Sequence, residues 1–210
     1  RIINGAMTID QRNAGASVSC DANIYGLDRW RYVVSQASKI TVQRNAGSVT
    51  PPVGFSNYMG FTSTSAYSVG STEYFWVQQS IEGFNVADLN WGTANAQTVT
   101  LSFQVYSSLT GTFGGSLMNA TDNRSYPFSY TIPTANTWTT VSVAIAGDTS
   151  GAWLTTNGIG INVVFSLGVG IPSLSGTAGA WAAGQKVSAT GATSVVGTSG
   201  ATFYITGVQL

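Results

Sequence analysis

Residues 97–107 read QTVTLSFQVYS, and the apolar residues fall at every second position. Val99, Leu101, Phe103 and Val105 lie on one side of an extended chain, and Thr100, Ser102, Gln104 and Tyr106 lie on the other. A period of two marks a strand with one face in a core and one face outward. The pattern recurs in TEYFWVQQSIE (72–82), where Phe75, Val77 and Ile81 point one way and Tyr74, Trp76, Gln78 and Ser80 the other. It recurs in RWRYVV (Trp30, Tyr32, Val34), KITVQR (Ile40, Val42) and WTTVSVAI (Val141, Val143, Ile145). GINVVFSL (Ile161, Val163, Phe165, Leu167) and TFYITGVQL (Phe203, Ile205) complete the set.

No segment has a helical period; GFNVADL (83–89) has room for one helical turn. Clusters of small and polar residues, such as SLTGTFGG (108–115) and AGAWAAG (178–184), read as breaks between strands. Strands at even spacing without helices between them predict an all-β fold, an antiparallel β-sandwich of jelly-roll type. No linker or composition break divides the chain, so residues 1–210 are expected to form a single β-sandwich domain. QRNAG occurs at 11–15 and again at 43–47, which reads as reused turn chemistry and not as a repeat.

Of the 210 residues, 43% are hydrophobic and only 8% are charged, so Ser, Thr, Asn, Gln and Gly must keep the surface polar. Eight basic and eight acidic residues cancel, which argues against nucleic acid and anionic membranes as partners. No run approaches the roughly 18 apolar residues of a membrane-spanning helix, so membrane insertion is not expected. The one cysteine, Cys20, has no disulfide partner in the chain and reads as a small buried side chain. The chain opens at Arg1 with no initiator methionine or apolar leader, and it closes on a strand-like VQL. It therefore reads as a piece of a longer protein or a trimmed chain.

The sequence has no histidine, which removes the commonest general base and every Ser-His-Asp or Cys-His arrangement. A glycosidase needs two carboxyl groups about 5–9.5 Å apart. Glu73 and Glu82 fall on opposite faces of one expected strand, roughly 30 Å apart. No enzymatic role and no cofactor are therefore expected. A structural calcium ion is the one inorganic group considered, with Asp122, Asn123 and Asp148 as its candidate ligands, against the plainer reading of each as a turn former.

The outward face of the strands around Trp76 and Gln104 carries flat rings beside amides. Pyranose rings stack their C–H faces on Trp or Tyr, and their hydroxyls take hydrogen bonds from Asn, Gln, Asp and Arg. Taken as neighbouring strands of a hairpin, these two segments place Tyr74, Trp76, Gln104 and Tyr106 on one face. MNATDNRSYPF (118–128) adds Asn119, Asp122, Arg124 and Tyr126 in a loop. Trp91, in the connection NVADLNWGTANA (85–96), either caps such a site from the rim or plugs the end of the sandwich, and the plug is favoured because so long a loop must be pinned. The candidate ligand-binding residues are thus Tyr74, Trp76, Gln104, Tyr106, Arg124 and Trp91. The competing reading puts the same rings in the core or at a subunit interface.

INGAMTIDQRNAG, LDRWRYVVSQASKITVQR, VQQSIEGFNVADLNWGTANAQTVTLSFQVYSS, NRSYPFSYTI and ATFYITGVQL, in this order from about Ile3 to Leu210, resemble a recurring C-terminal domain of bacteriophage tail fibres and virion-surface proteins. The resemblance implies a jelly roll similar to carbohydrate-binding modules, displayed on a virion beside other virion proteins. It also implies an extracellular setting, trimers and, as a rule, no enzymatic activity. It assigns no binding residue. Together these readings lead to a tail-fibre or spike module that binds a host-surface glycan or receptor. The rivals are a capsid cement or tail protein with no ligand, a carbohydrate-binding module of a bacterial enzyme, and a glycan depolymerase.

Overall fold

The computed structural model describes residues 1–210. In chain order the strands are β1 (Val18–Ser19), β2 (Tyr25–Leu27), β3 (Trp30–Val34), β4 (Ile40–Arg44), β5 (Met59–Ser63), β6 (Tyr74–Glu82) and β7 (Val99–Ser107), then β8 (Gly111–Met118), β9 (Arg124–Ile132), β10 (Thr139–Ile145), β11 (Ile159–Val169), β12 (Ser175–Gly176), β13 (Ala182–Ala183), β14 (Ser188–Ala189) and β15 (Thr202–Gln209). They form a six-stranded sheet, β1-β4-β5-β15-β7-β10, and a seven-stranded sheet, β13-β9-β8-β11-β6-β3-β2, with β12 and β14 as a separate parallel pair. Every pairing within the two large sheets is antiparallel. The chain passes repeatedly from one sheet to the other, and the fold is the expected antiparallel β-sandwich of jelly-roll type.

The inward residues of the alternating segments meet in one cluster of 38 buried side chains. Phe103 of the six-stranded sheet stands at its centre, with its ring 5.0 Å from both Phe165 and Tyr130 of the opposite sheet. Cys20 is fully buried in the same cluster. One inward position of β6 is polar. Gln79 is 1% exposed, and its amide both accepts from Ile3 N–H and donates to Ile3 C=O at 2.8 Å. A buried amide with both ends satisfied ties the N-terminal segment to the sandwich at little desolvation cost.

Two expectations from the sequence change. SLTGTFGG is not a break: Gly111–Met118 is β8, inside the seven-stranded sheet. Its glycines are there for clearance. A Cβ on Gly115 would lie 2.3 Å from Val164 O and 2.4 Å from the Phe128 ring. Where neighbours approach that closely, glycine enters a strand despite its low strand preference. Secondly, β6 and β7 do not pair. β6 lies between β11 and β3 in one sheet, and β7 lies between β15 and β10 in the other. Residues 83–98 carry the chain across, with short 3-10 turns at Gly83–Asn85 and Ala87–Leu89 where one helical turn is expected. No helix is long and apolar enough to cross a membrane.

Candidate functional site

The six candidate residues separate into three places. Tyr74 and Trp76 are on the outer face of the seven-stranded sheet, with ring centroids 4.8 Å apart. Trp76 is only 6% exposed, because the segment that carries Leu174 and Val187 crosses over it and forms a second small apolar cluster with Val33, Met118 and Val164. Its indole N–H donates to Gln78 Oε1 at 2.8 Å.

Gln104 and Tyr106 are on the outer face of the other sheet. Gln104 Oε1 accepts from Thr140 Oγ1 at 3.0 Å. Tyr106 stacks on Tyr204 (5.3 Å, 5°), and Tyr204 stacks on Tyr58 (5.0 Å, 25°), with Trp138 against the outer two rings. Tyr204 is sandwiched, Tyr58 is covered through Ala46 and Val49, and Tyr106 alone of the three is half-exposed. These rings spend their faces on one another.

Trp91 and Arg124 meet at one end of the sandwich. Trp91, Trp153 and Trp181 form a triangle of edge-to-face rings, with centroids 4.8, 5.2 and 5.3 Å apart. Each indole N–H is used: Trp91 donates to Gln97 O, Trp153 to Asp148 Oδ2 and Trp181 to Ala146 O. The plug is therefore the arrangement found, and three Trp pairs at about 0.5–1.5 kcal/mol each are enough to pin the crossover loop. Arg124 is paired with Asp148 through Nε–Oδ2 (2.9 Å) and Nη2–Oδ1. Burial opposes ionisation of Asp148, but hydrogen bonds from Arg124, Trp153 and Ser150 outweigh it and hold the carboxyl below its usual range.

Hydrogen bonds take most of the oxygens considered for calcium, but Asp122 Oδ1 is buried without a partner, and burial pushes the Asp122 carboxyl above its usual range. Asp148 is taken by Arg124, Asn123 Oδ1 accepts from Asn119 Nδ2, and Asp122 Oδ2 accepts from Gln185 Nε2. No group of three His, Cys, Asp or Glu side chains is close enough to hold a metal. Asn119 is fully buried and shapes the β8–β9 turn, with Oδ1 accepting from Asn123 N–H and Arg124 N–H. Tyr126, grouped with it in the sequence, points inward from β9 and is 7% exposed.

The open part of the seven-stranded sheet's outer face holds a cleft of about 300 Å³ lined by Tyr25, Arg29, Arg31, Ser80, Glu82 and Asn157, among others. That volume is at the small end of ligand sites. Strand register builds it: Tyr25 on β2, Arg31 on β3 and Gln78 on β6 lie side by side across the sheet. Ser80 and Glu82 follow Gln78 along the same face of β6. The tight β2–β3 turn brings Arg29 alongside, where it donates to Glu82 Oε1 at 2.6 Å. That bond holds the Glu82 carboxyl below its usual range. Tyr25 is 43% exposed, with the Arg12 guanidinium 5.2 Å from its ring centroid.

Four of these residues were legible in principle. Arg29 and Arg31 flank the inward Trp30, so both point outward, and Ser80 and Glu82 continue the outward series of Trp76 and Gln78. What alternation does not encode is which part of that face stays open. Residues 171–189 cover the Trp76 end and leave the Ser80–Glu82 end free.

No family model matches the sequence, and no curated protein is significantly similar to it. Among solved structures, the enzymatically active domain of tailspike protein 4 of bacteriophage CBA120 is similar over 91% of this chain, with 12% identity and a TM-score of 0.48; this chain spans 20% of that one. A structure of CBM4 is similar over 100% of this chain and 97% of its own, with 16% identity and a TM-score of 0.45. A family 11 carbohydrate-binding module from Clostridium thermocellum, in complex with a β-1,3-1,4-mixed-linked tetrasaccharide, is similar over 91% of this chain and 93% of its own, with 13% identity and a TM-score of 0.43. The structural neighbours are thus a phage tailspike domain and carbohydrate-binding modules.

Proposed function

We propose that this chain is a glycan-binding β-sandwich module of a phage virion, on a tail fibre or spike, and that the cleft between Tyr25 and Glu82 is its saccharide site. The observation that carries the reading is the composition of that cleft. One exposed ring stands beside Arg29, Arg31, Ser80 and Asn157 on a rigid sheet face. A ring for a pyranose face and polar groups for its hydroxyls are the two things saccharide recognition needs. The virion setting is supported by the ordered sequence motifs. Several copies on one particle make weak single contacts sufficient, because each bound copy raises the effective concentration of the next. Glu82 is the carboxylate that lines the cleft and it is held by Arg29, so binding without hydrolysis is the chemistry proposed.

A glycan array with the purified chain and its Tyr25→Ala variant tests this. Binding that is lost or much weakened in the variant is the expected result; wild-type binding to no glycan and to no host cell overturns it. The second reading, a virion structural subunit with no ligand, is favoured by Phe84, which is 67% exposed beside the Leu154–Ile159 segment. It predicts that Phe84→Ser changes the oligomeric state, a trimer by this proposal, while substitutions in the cleft have no effect on assembly or attachment.

A further inference from the structure

We propose that the cleft takes a carboxylated sugar, a uronic or sialic acid residue whose carboxylate sits on the terminal nitrogens of Arg31 while its ring lies against Tyr25; this rests on the glycan-binding reading above. The cleft is positively charged. The chain has only eight basic residues, and three arginines gather here. Arg29 and Arg31 line the cleft, and Arg12 lies over the Tyr25 ring. Glu82 is the only acid in the lining, so two guanidiniums against one carboxylate leave a single positive charge inside, with Arg12 adding another at the rim.

Hydrogen-bond inventory points the same way. Arg29 is occupied by Glu82 and Ser80 O. Arg31 bonds only through Nε, to Asn23 O at 3.2 Å, which orients the group and leaves Nη1 and Nη2 without partners in the chain. Gln78 lies next to Arg31 in register. An indole N–H can only donate, so Trp76 must occupy the Gln78 carbonyl oxygen, and the amide nitrogen is what Gln78 offers outward. Ser80 Oγ, by contrast, donates its proton to Asn162 Oδ1 at 2.6 Å. The free donors on this face are thus the paired terminal nitrogens of Arg31 and the Gln78 amide beside them in register. Neutral sugar hydroxyls both donate and accept. A carboxylate only accepts, and its two oxygens match the paired terminal nitrogens of an arginine.

The test is titration calorimetry with tri-galacturonic acid and its carboxyl-reduced counterpart, and with sialyllactose and lactose, on wild type, Arg31→Gln and Arg31→Lys. The two acidic probes separate the uronic from the sialic source. At least one acid is expected to bind about tenfold or more tightly than its neutral partner, with the preference weakening as salt rises. Arg31→Gln should abolish the preference, and Arg31→Lys, which keeps the charge but loses the fork, should fall between. Unchanged thermal midpoints show that the variants fold; where Arg31→Gln does not, Arg31→Lys carries the test. Equal binding of acid and neutral partners, or binding of other glycans but of neither acid, overturns the inference and leaves the glycan reading standing. Binding of no glycan by the wild type overturns both.

Discussion

Arg29 occupies the second position of the two-residue turn between β2 and β3 with φ of 72°, a backbone conformation that glycine adopts without cost. The chain holds an arginine there, and its guanidinium reaches the cleft. Arg29→Gly removes roughly 1 kcal/mol of backbone strain, but it also removes a half-exposed ion pair worth about that much or less and loosens the unfolded chain. Urea unfolding is therefore expected to change by no more than about 1 kcal/mol, while saccharide affinity drops. Asp148 shows the opposite balance. Its side chain is 2% exposed and that of Arg124 is 21% exposed, so removing one partner strands the other's charge. Asp148→Asn is expected to cost about 3 kcal/mol. Because the folded-state pKa of Asp148 is depressed, its contribution is present above the unfolded-state value of about 4 and is lost as pH falls through the folded value. The difference between wild type and variant in urea unfolding should thus shrink below about pH 4; a constant difference down to pH 2 would show that the ion pair is not its source.

Among the elements, β6 shows how one strand serves two purposes along one face. Its outward series runs Tyr74, Trp76, Gln78, Ser80, Glu82. The first part is packed beneath the strap that carries Leu174, β12, Val187 and β14, and the last part lines the cleft. Trp76→Ala therefore probes packing before recognition. It empties a site shared with Val33, Met118, Val164, Leu174 and Val187, and a loss of about 3–5 kcal/mol is expected in thermal or urea unfolding. Saccharide affinity at a temperature where the variant is folded should change far less than with Tyr25→Ala. A variant of wild-type stability that has lost binding would instead return Trp76 to the ligand surface. The period-two pattern makes Trp76 outward, and it is; the strap that buries it is a run of short irregular pieces with no period of its own.

The whole molecule is organised around contacts between residues far apart in sequence. β15, the last strand, lies between β5 and β7, and the N-terminal segment meets the C-terminal strand where Val208 N–H donates to Gly5 O. Together with the shared cluster of 38 buried residues, this leads us to propose that residues 1–210 unfold as one domain. Calorimetry should give one transition with equal calorimetric and van't Hoff enthalpies, and two resolved transitions would divide the chain. Lacking one of its middle strands, the six-stranded sheet cannot close, so folding should await the arrival of β15 and be slow for a chain of this size.

The amino-acid order by itself determined the fold class and most of the core. Alternation is a local property, and Phe103, Phe165, Val77 and Ile205 point inward whichever strands they pair with, since a residue's side of a strand follows from its parity alone. It also favoured a plug over a rim cap for Trp91, because so long a loop must be pinned. Only the tertiary structure decided that β6 and β7 belong to different sheets, and so that Trp76 and Tyr106 are on opposite sides of the molecule. Strand pairing depends on contacts between distant residues, and adjacency in sequence is a weak guide once a chain crosses between layers. Tertiary structure alone also placed the cleft, because the position of an opening is set by where covering segments end. Arg29, Arg31, Ser80 and Glu82 could be read as outward; that they are uncovered and face Tyr25 follows from register and from the strap stopping short of them.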